Sequence, residues 1–177
     1  MMTASSANNI ILVGFMGTGK SAVGQELARQ LARRFVDMDE ELAARAGKSI
    51  ALIFAEEGEA AFRAMERELV RELVQARGQV IATGGGVVLN QANLKDFSAT
   101  GSLVCLSASP EEILRRVAGA TQRPLLNQPD PAAVVRQLLA QRQQLYAAIP
   151  IQINTTGLSV GEVVAAIRAR LADRAAL

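Results

Sequence analysis

The eight residues Gly14-Phe15-Met16-Gly17-Thr18-Gly19-Lys20-Ser21 constrain the fold more than any other stretch of the chain. They match the pattern G-x-x-x-x-G-K-[ST], which works only in a particular setting. Its glycines let the backbone curl so that successive N–H groups point inward at phosphate oxygens. The helix that follows adds its positive N-terminal end. The ammonium of Lys20 can follow the β- and γ-phosphates, and the Ser21 hydroxyl can ligate Mg²⁺. The required setting is present. Residues 10–13 are an unbroken apolar run, as a strand covered on both faces would be. Residues 21–34 read as a helix with Val23, Leu27 and Leu31 on one face. A glycine-rich turn with an exposed lysine does not need that context, so the motif predicts a nucleoside triphosphate site.

The same alternation continues along the chain. Short apolar runs at 35–36, 80–82, 103–106 and 149–153 read as strands. Between them, helical patterns cover 40–46, 59–77, 90–99, 132–147 and 160–172, and Pro110 opens a further helix near its first position. Phe62, Met65, Leu69 and Leu73 form the apolar stripe of the longest one, with Gly47 and Gly78 as stops. Alternating strands and helices predict an α/β chain: a three-layer α/β/α sandwich around a five-stranded parallel sheet, the P-loop NTPase fold. No internal repeat or linker divides residues 1–177, so they read as one domain. Residues 119–131 are rich in Gly, Gln, Asn and Pro and have the length of a functional surface loop.

Composition removes several alternatives. Of 177 residues, 19 are Lys or Arg and 17 are Asp or Glu, a net charge of +2. With no basic run and 3% aromatic residues, a nucleic-acid surface is not expected. There is no His, so any general base is a carboxylate. Cys105 is the one cysteine, which excludes an intramolecular disulfide and suits a reducing, cytoplasmic setting. Cys105 reads as a small buried apolar residue. No apolar run approaches the ~20 residues of a membrane span, and residues 1–9 read as a short tail without the features of a signal peptide.

A phosphate cradle does not name an acceptor, so the remaining polar residues must. Asp37 and Asp39 follow the second strand with one residue between, and in an extended segment both would face the crevice at the strand ends. One can hold Mg²⁺ through water and the other orient or deprotonate a hydroxyl, or Asp39 can simply cap the helix near Glu40. Arg63 lies one position off its helix's apolar stripe. It can pair with Glu59 or Glu66, or capture a substrate carboxylate. Gly84, Gly85 and Gly86 follow a strand directly, as where a ligand approaches the main chain closely. Arg123 precedes Pro124, which biases it to an extended backbone and can aim it at a transferring phosphate. Arg142 reads as a face charge on the helix ending near Tyr146.

Together these residues resemble the shikimate kinase family, in the family's order, over about residues 9–171. The phosphate loop, Asp37-Met38-Asp39, Gly58-Glu59-x-x-Phe62-Arg63-x-x-Glu66, Ala82-Thr83-Gly84-Gly85-Gly86 and Arg123-Pro124-Leu125-Leu126 each resemble a family motif. The resemblance implies ATP-dependent phosphorylation of the shikimate 3-hydroxyl, on the route to aromatic amino acids. It implies that Asp39, Arg63, Gly84, Gly85, Gly86 and Arg142 bind shikimate, with Asp39 on the reacting hydroxyl and both arginines on the carboxylate. It further implies that Glu66 orients Arg63 and that Gly17, Thr18, Gly19, Lys20, Ser21 and Ala22 bind ATP. Arg116 and the turn Thr155-Thr156-Gly157 would flank adenine, and Asp37 would support Mg²⁺ through water beside Ser21. Lys20, Asp39 and Arg123 are the implied catalytic set. Arg123 would sit on a mobile lid at about 117–131, and about 37–66 would form the substrate-binding segment. The implied strand order is 2-3-1-4-5, and the implied state is a cytoplasmic monomer with no membrane or nucleic-acid partner. One stretch departs from the pattern. The family commonly reads Glu-Arg-Asn-Pro-Leu-Tyr where this chain has Gln141-Arg142-Gln143-Gln144-Leu145-Tyr146, which puts the helix boundary and the aim of Arg142 in question.

Two rivals share the cradle. A kinase for another polyol acid, such as gluconate, should lack the paired arginines. A nucleotide-dependent switch should carry a base-reading loop and switch segments, and neither is evident.

Overall fold

The structure is a computed structural model describing residues 8–118 and 129–175. Every residue of strand β1 (Asn9–Val13) is buried. Its side chains alternate between two apolar layers, Ile11 and Val13 on one side and Ile10 and Leu12 on the other. That is why its sequence shows no polar face. Among the described residues, five strands form one parallel sheet in the order β2-β3-β1-β4-β5. The others are β2 (Arg34–Asp37), β3 (Gln79–Ala82), β4 (Gly101–Ser107) and β5 (Ile151–Asn154).

Helices α1 (Lys20–Leu31) and α7 (Val160–Ala175) cover one face, where Val23, Leu27, Val163, Val164 and Ile167 join Ile10 and Leu12. The larger core on the other face holds Met38 and Leu42 of α2 (Met38–Ala46), Phe62 and Leu69 of α3 (Ile50–Leu73), and Phe97 of α4 (Gln91–Thr100). Ile113 of α5 (Pro110–Val117) and Val135 and Tyr146 of α6 (Pro131–Ala147) complete it. Because all five strands run parallel, their C-terminal ends share one edge of the sheet. There lie the phosphate loop after β1, the Asp37 turn after β2 and the glycine run after β3.

Expected boundaries move in several helices; α1 ends at Leu31 instead of residue 34, where Ala32 turns left-handed with φ 50°. Helix α2 begins at Met38 because Asp37 caps it, its Oδ1 accepting from the Asp39 and Glu40 amides at 3.0 and 3.3 Å. Helix α3 begins at Ile50, capped by Ser49, instead of residue 59. Gly58 interrupts it with φ 83°, ψ 171°, so the helical pattern breaks there while helix continues on both sides. At its other end α3 stops at Leu73, and Gly78 (φ 73°) turns the chain into β3 some residues later. Helix α6 starts one residue earlier than expected, on Pro131, capped by Asp130. Residues 119–128, and with them Arg123, Pro124, Leu125 and Leu126, lie outside the described residues.

Candidate active site

Gly14, Gly17 and Gly19 hold φ values of 150°, 74° and 94°, which explains glycine at all three positions. A Cβ on Gly14 would also meet the Leu106 carbonyl oxygen at 2.2 Å. The Thr18 hydroxyl donates to the Phe15 carbonyl at 2.8 Å and ties the loop from within. Lys20 Nζ donates to the Gly14 and Phe15 carbonyls, both at 2.8 Å. Gly19 is the N-cap of α1, and no side chain caps that helix end, so its amides remain available to an anion. Ala22 follows, exposed, in the first turn.

Ser21 Oγ donates to Asp37 Oδ2 at 2.5 Å. A hydroxyl and a carboxylate therefore converge beside the loop. The expectation that Asp37 and Asp39 face one crevice from one extended segment is not met. The strand ends at Asp37, and Asp39 sits in the first helical turn. Capping also falls to Asp37, not to Asp39. The two carboxylates part: Asp37 serves Ser21 and the helix end, and Asp39 reaches the glycine run. A Cβ on Gly84 would lie 2.9 Å from Asp39 Oδ1 and 3.3 Å from Glu66 Oε1.

Arg63 bonds both neighbours offered by helical spacing, Glu66 at 3.1 and 3.2 Å and Glu59 at 3.2 and 3.3 Å. Its guanidinium also lies on Gly86, where a Cβ would come within 2.3 Å of Nη2. Glu66 is 1% exposed. Burial pushes its carboxyl above the usual range, the Arg63 charge pulls it back, and the neighbouring Asp39 pushes it up again. Arg142 approaches the run from α6, donating to the Gly85 carbonyl at 3.3 Å. Its guanidinium carbon stands 5.9 Å from the centre of the Phe15 ring. Helix α6 is unbroken through Gln143 and Gln144, so the altered sequence there does not turn Arg142 away. Gly85 packs on the phosphate loop itself, a Cβ there lying 3.4 Å from the Met16 amide.

On the other side of the loop, Arg116 donates to Gly17 O at 3.3 Å, Thr155 Oγ1 at 2.9 Å and Thr155 O at 2.7 Å, and its Nε meets Glu112 at 2.8 Å. Thr156 Oγ1 accepts from the Ser109 amide at 2.9 Å. Arg116 and Thr155 thus border the loop at Gly17 and Thr18. Arg123 alone of the expected residues falls outside the described ones. Cys105 is buried, and burial pushes its thiol up to about 11, as suits an inert side chain.

Two residues with no expected role join the site. Phe15 underlies Arg142, and the Tyr146 hydroxyl donates to the Gly85 carbonyl at 2.7 Å. The i, i+4 spacing of Arg142 and Tyr146 on one helix was the available signal. Along the glycine run the Asp39 carboxylate lies by Gly84, Arg142 by Gly85 and the Phe15 ring of the phosphate loop, and the Arg63 guanidinium by Gly86. This charge pattern suits a small carboxylate bearing a hydroxyl, held next to a polyphosphate.

The profile of the shikimate kinase family matches residues 16–172. The shikimate kinase of Symbiobacterium thermophilum is 46% identical over 169 residues, covering 94% of this chain and 97% of that protein. The shikimate kinase of Acinetobacter baumannii, solved in complex with shikimate, superposes with a TM-score of 0.91 at 34% identity, covering 95% of this chain and 94% of the other. A gluconokinase from Sinorhizobium meliloti shares the fold, with a TM-score of 0.61 at 16% identity over 94% of each chain.

Proposed function

The chain belongs to the shikimate kinase family, and on that premise we propose that it moves the γ-phosphoryl group of ATP to the 3-hydroxyl of shikimate. The products are shikimate 3-phosphate and ADP, on the route to the aromatic amino acids. The observation that carries the reading is the convergence of Arg63, Arg142 and Asp39 on Gly84–Gly86, which itself packs on the phosphate loop. An acceptor held there lies beside the phosphates.

In this reading Arg63 and Arg142 take the shikimate carboxylate, and the glycine run lets the ring approach the main chain. Glu66 keeps the Arg63 guanidinium turned to Gly86. Asp39 accepts a hydrogen bond from the reacting hydroxyl. It orients that oxygen toward the γ-phosphorus and takes its proton as the bond forms. Phosphoryl transfer asks mainly for positioning and charge stabilisation, so the orienting role comes first. The loop amides of Gly17, Thr18 and Gly19, with Lys20, stabilise the phosphate oxygens. Arg116 and the Thr155-Thr156 turn flank adenine.

The donor set fits Mg²⁺: one hydroxyl and one carboxylate, 2.5 Å apart, suit an ion that keeps waters and takes further ligands from phosphates. Ser21 would hold it directly and Asp37 through water, and its charge would neutralise the β- and γ-phosphates. The reading also takes 1–177 as one kinase domain, with 37–66 as the acceptor segment. Arg123 belongs to a lid at about 117–131 that closes over the phosphates. The protein acts as a monomer in the cytoplasm. Its near-balanced charge offers no surface for nucleic acid, and among the described residues no helix is long and apolar enough to cross a membrane.

ADP release with MgATP and shikimate, run beside gluconate and a blank without acceptor, tests the proposal. Release that depends on shikimate alone is expected. Release with gluconate, or release indifferent to acceptor, would remove every acceptor-side role given above.

A further inference from the structure

The Gly85 carbonyl accepts two hydrogen bonds from one helix. Tyr146 Oη donates at 2.7 Å, and Arg142 Nη1, four residues earlier on α6, donates at 3.3 Å. An sp² oxygen has two lone pairs, so both bonds can coexist. They are unequal. The hydroxyl bond is at the optimum length for O–H···O, and the guanidinium bond is beyond the preferred range for N–H···O. Arg142 thus rests on this oxygen, while Tyr146 is anchored to it.

We infer that Tyr146 is a positioning residue for the acceptor: its hydroxyl fixes the Gly85 carbonyl and so leaves Arg142 free to exchange that carbonyl for the substrate carboxylate. The inference rests on the reading that Arg142 binds the shikimate carboxylate. A guanidinium–carboxylate bond is stronger than a guanidinium–carbonyl bond, so substrate draws Arg142 away from Gly85. With the hydroxyl in place, the carbonyl keeps a donor after Arg142 departs. Without it, departure strands a half-buried acceptor, and the Gly85 peptide loses the bond that sets its plane. Arg142 then competes for two partners, and shikimate binds less well. The Tyr146 hydroxyl bonds the Gly85 carbonyl, so the effect falls first on the acceptor side. The phenol stays a donor at any working pH, since burial pushes it up to about 12.

The side chain is 9% exposed and packs in the larger core, so Tyr146→Phe keeps the ring and removes one oxygen. The expected result is a rise of about five- to tenfold in KM for shikimate, the scale of one lost hydrogen bond. kcat and KM for ATP should stay within about twofold. In an Arg142→Ala background the same change should have less than a twofold effect, because the partner it serves is gone. Replacing Tyr146 by 4-aminophenylalanine, which keeps a donor at that position, should restore most of the affinity. Unchanged KM for shikimate in Tyr146→Phe, alongside a raised one in Arg142→Ala, overturns the inference and leaves the carboxylate reading standing. Unchanged KM in Arg142→Ala overturns the reading beneath it. A fallen melting temperature with kcat and both KM values degraded together marks a merely structural tyrosine, which also overturns it. If Tyr146→Phe does not fold, the ¹³C carbonyl resonance of Gly85 in the unsubstituted protein decides. It should move on shikimate saturation, and a resonance that stays put sinks the exchange.

Discussion

Arg63→Met separates the pairing of this guanidinium with Glu66 from its proposed hold on the acceptor carboxylate. Methionine keeps an unbranched apolar stem on α3 and removes the bonds to Glu66 at 3.1 and 3.2 Å. Glu66 is 1% exposed and stays behind as a buried carboxylate without its guanidinium. Breaking a fully buried pair from one side costs about 3–5 kcal/mol. Arg63 is 25% exposed, so water reaches the vacated side, and about 2–3 kcal/mol is the expected loss. For a chain of this size that lowers the melting temperature by about 4–12 °C. The loss depends on pH with a definite sign. Burial already lifts the folded-state Glu66 carboxyl above its ordinary value, and removing Arg63 lifts it further. A group raised in the folded state favours folding below its unfolded pKa and loses that contribution as pH rises through the folded one. The deficit should therefore be small at and below the ordinary carboxylate range and grow as pH rises above it. The double variant Arg63→Met/Glu66→Gln removes the stranded charge. It should regain most of the melting temperature and flatten the pH dependence, yet keep a KM for shikimate raised at least tenfold. Circular dichroism melts over a pH series, with ADP release on the same preparations, read both quantities. A single variant that melts with the parent above neutrality, or a double variant that recovers shikimate affinity, would refute the reasoning.

Lys20→Ala should lower transfer by about 10²–10³-fold while calorimetry still detects shikimate binding, since in the proposed mechanism the ammonium serves the phosphate oxygens and not the acceptor. Arg123→Ala should likewise lose transfer and spare most shikimate binding, and loss of shikimate binding in either variant contradicts the assignment. Gly86→Ala drives a Cβ to 2.3 Å from Arg63, whereas Gly85→Ala meets its nearest neighbour at 3.4 Å, so shikimate KM should rise far more in the first than in the second. Equal effects would mean that Arg63 does not rest on Gly86. Gly58→Ala meets no atom within 4 Å, but its backbone lies at φ 83°, ψ 171°, so denaturant melts should show about 1–3 kcal/mol of pure backbone strain.

The elements that announce themselves by period were legible in the sequence, and so was the cradle. β1, β3 and α6 fall within a residue or two of expectation because apolar runs and helical stripes survive without knowledge of neighbours, whereas α1 ends three residues early. The sheet order came from family resemblance, since no pattern along β1 says that β3 and β4 will flank it. The first half of α3 escaped because Gly58 breaks the period, and only the backbone shows helix resuming beyond it. Asp39 does lie beside the glycine run, but not by the geometry expected. The pleat argument required an extended segment, and Asp37 capping α2 ends the strand two residues too soon. The pairing of Tyr146 with Gly85 spans 61 residues and leaves no local trace. Arg142 drew doubt from Gln143 and Gln144, and α6 runs through both and carries Arg142 to the Gly85 carbonyl.

Lys20 folds back onto the Gly14 and Phe15 carbonyls, and this changes what nucleotide binding measures. The ammonium already has oxygen partners before any phosphate arrives. Any carbonyl contact given up as a phosphate contact forms makes capture an exchange of ligands. Heat released on mixing reports only the difference between the two sets. A modest calorimetric enthalpy for ATP would thus be compatible with a strong lysine–phosphate contact, and its size would understate how firmly that contact grips the transferring group.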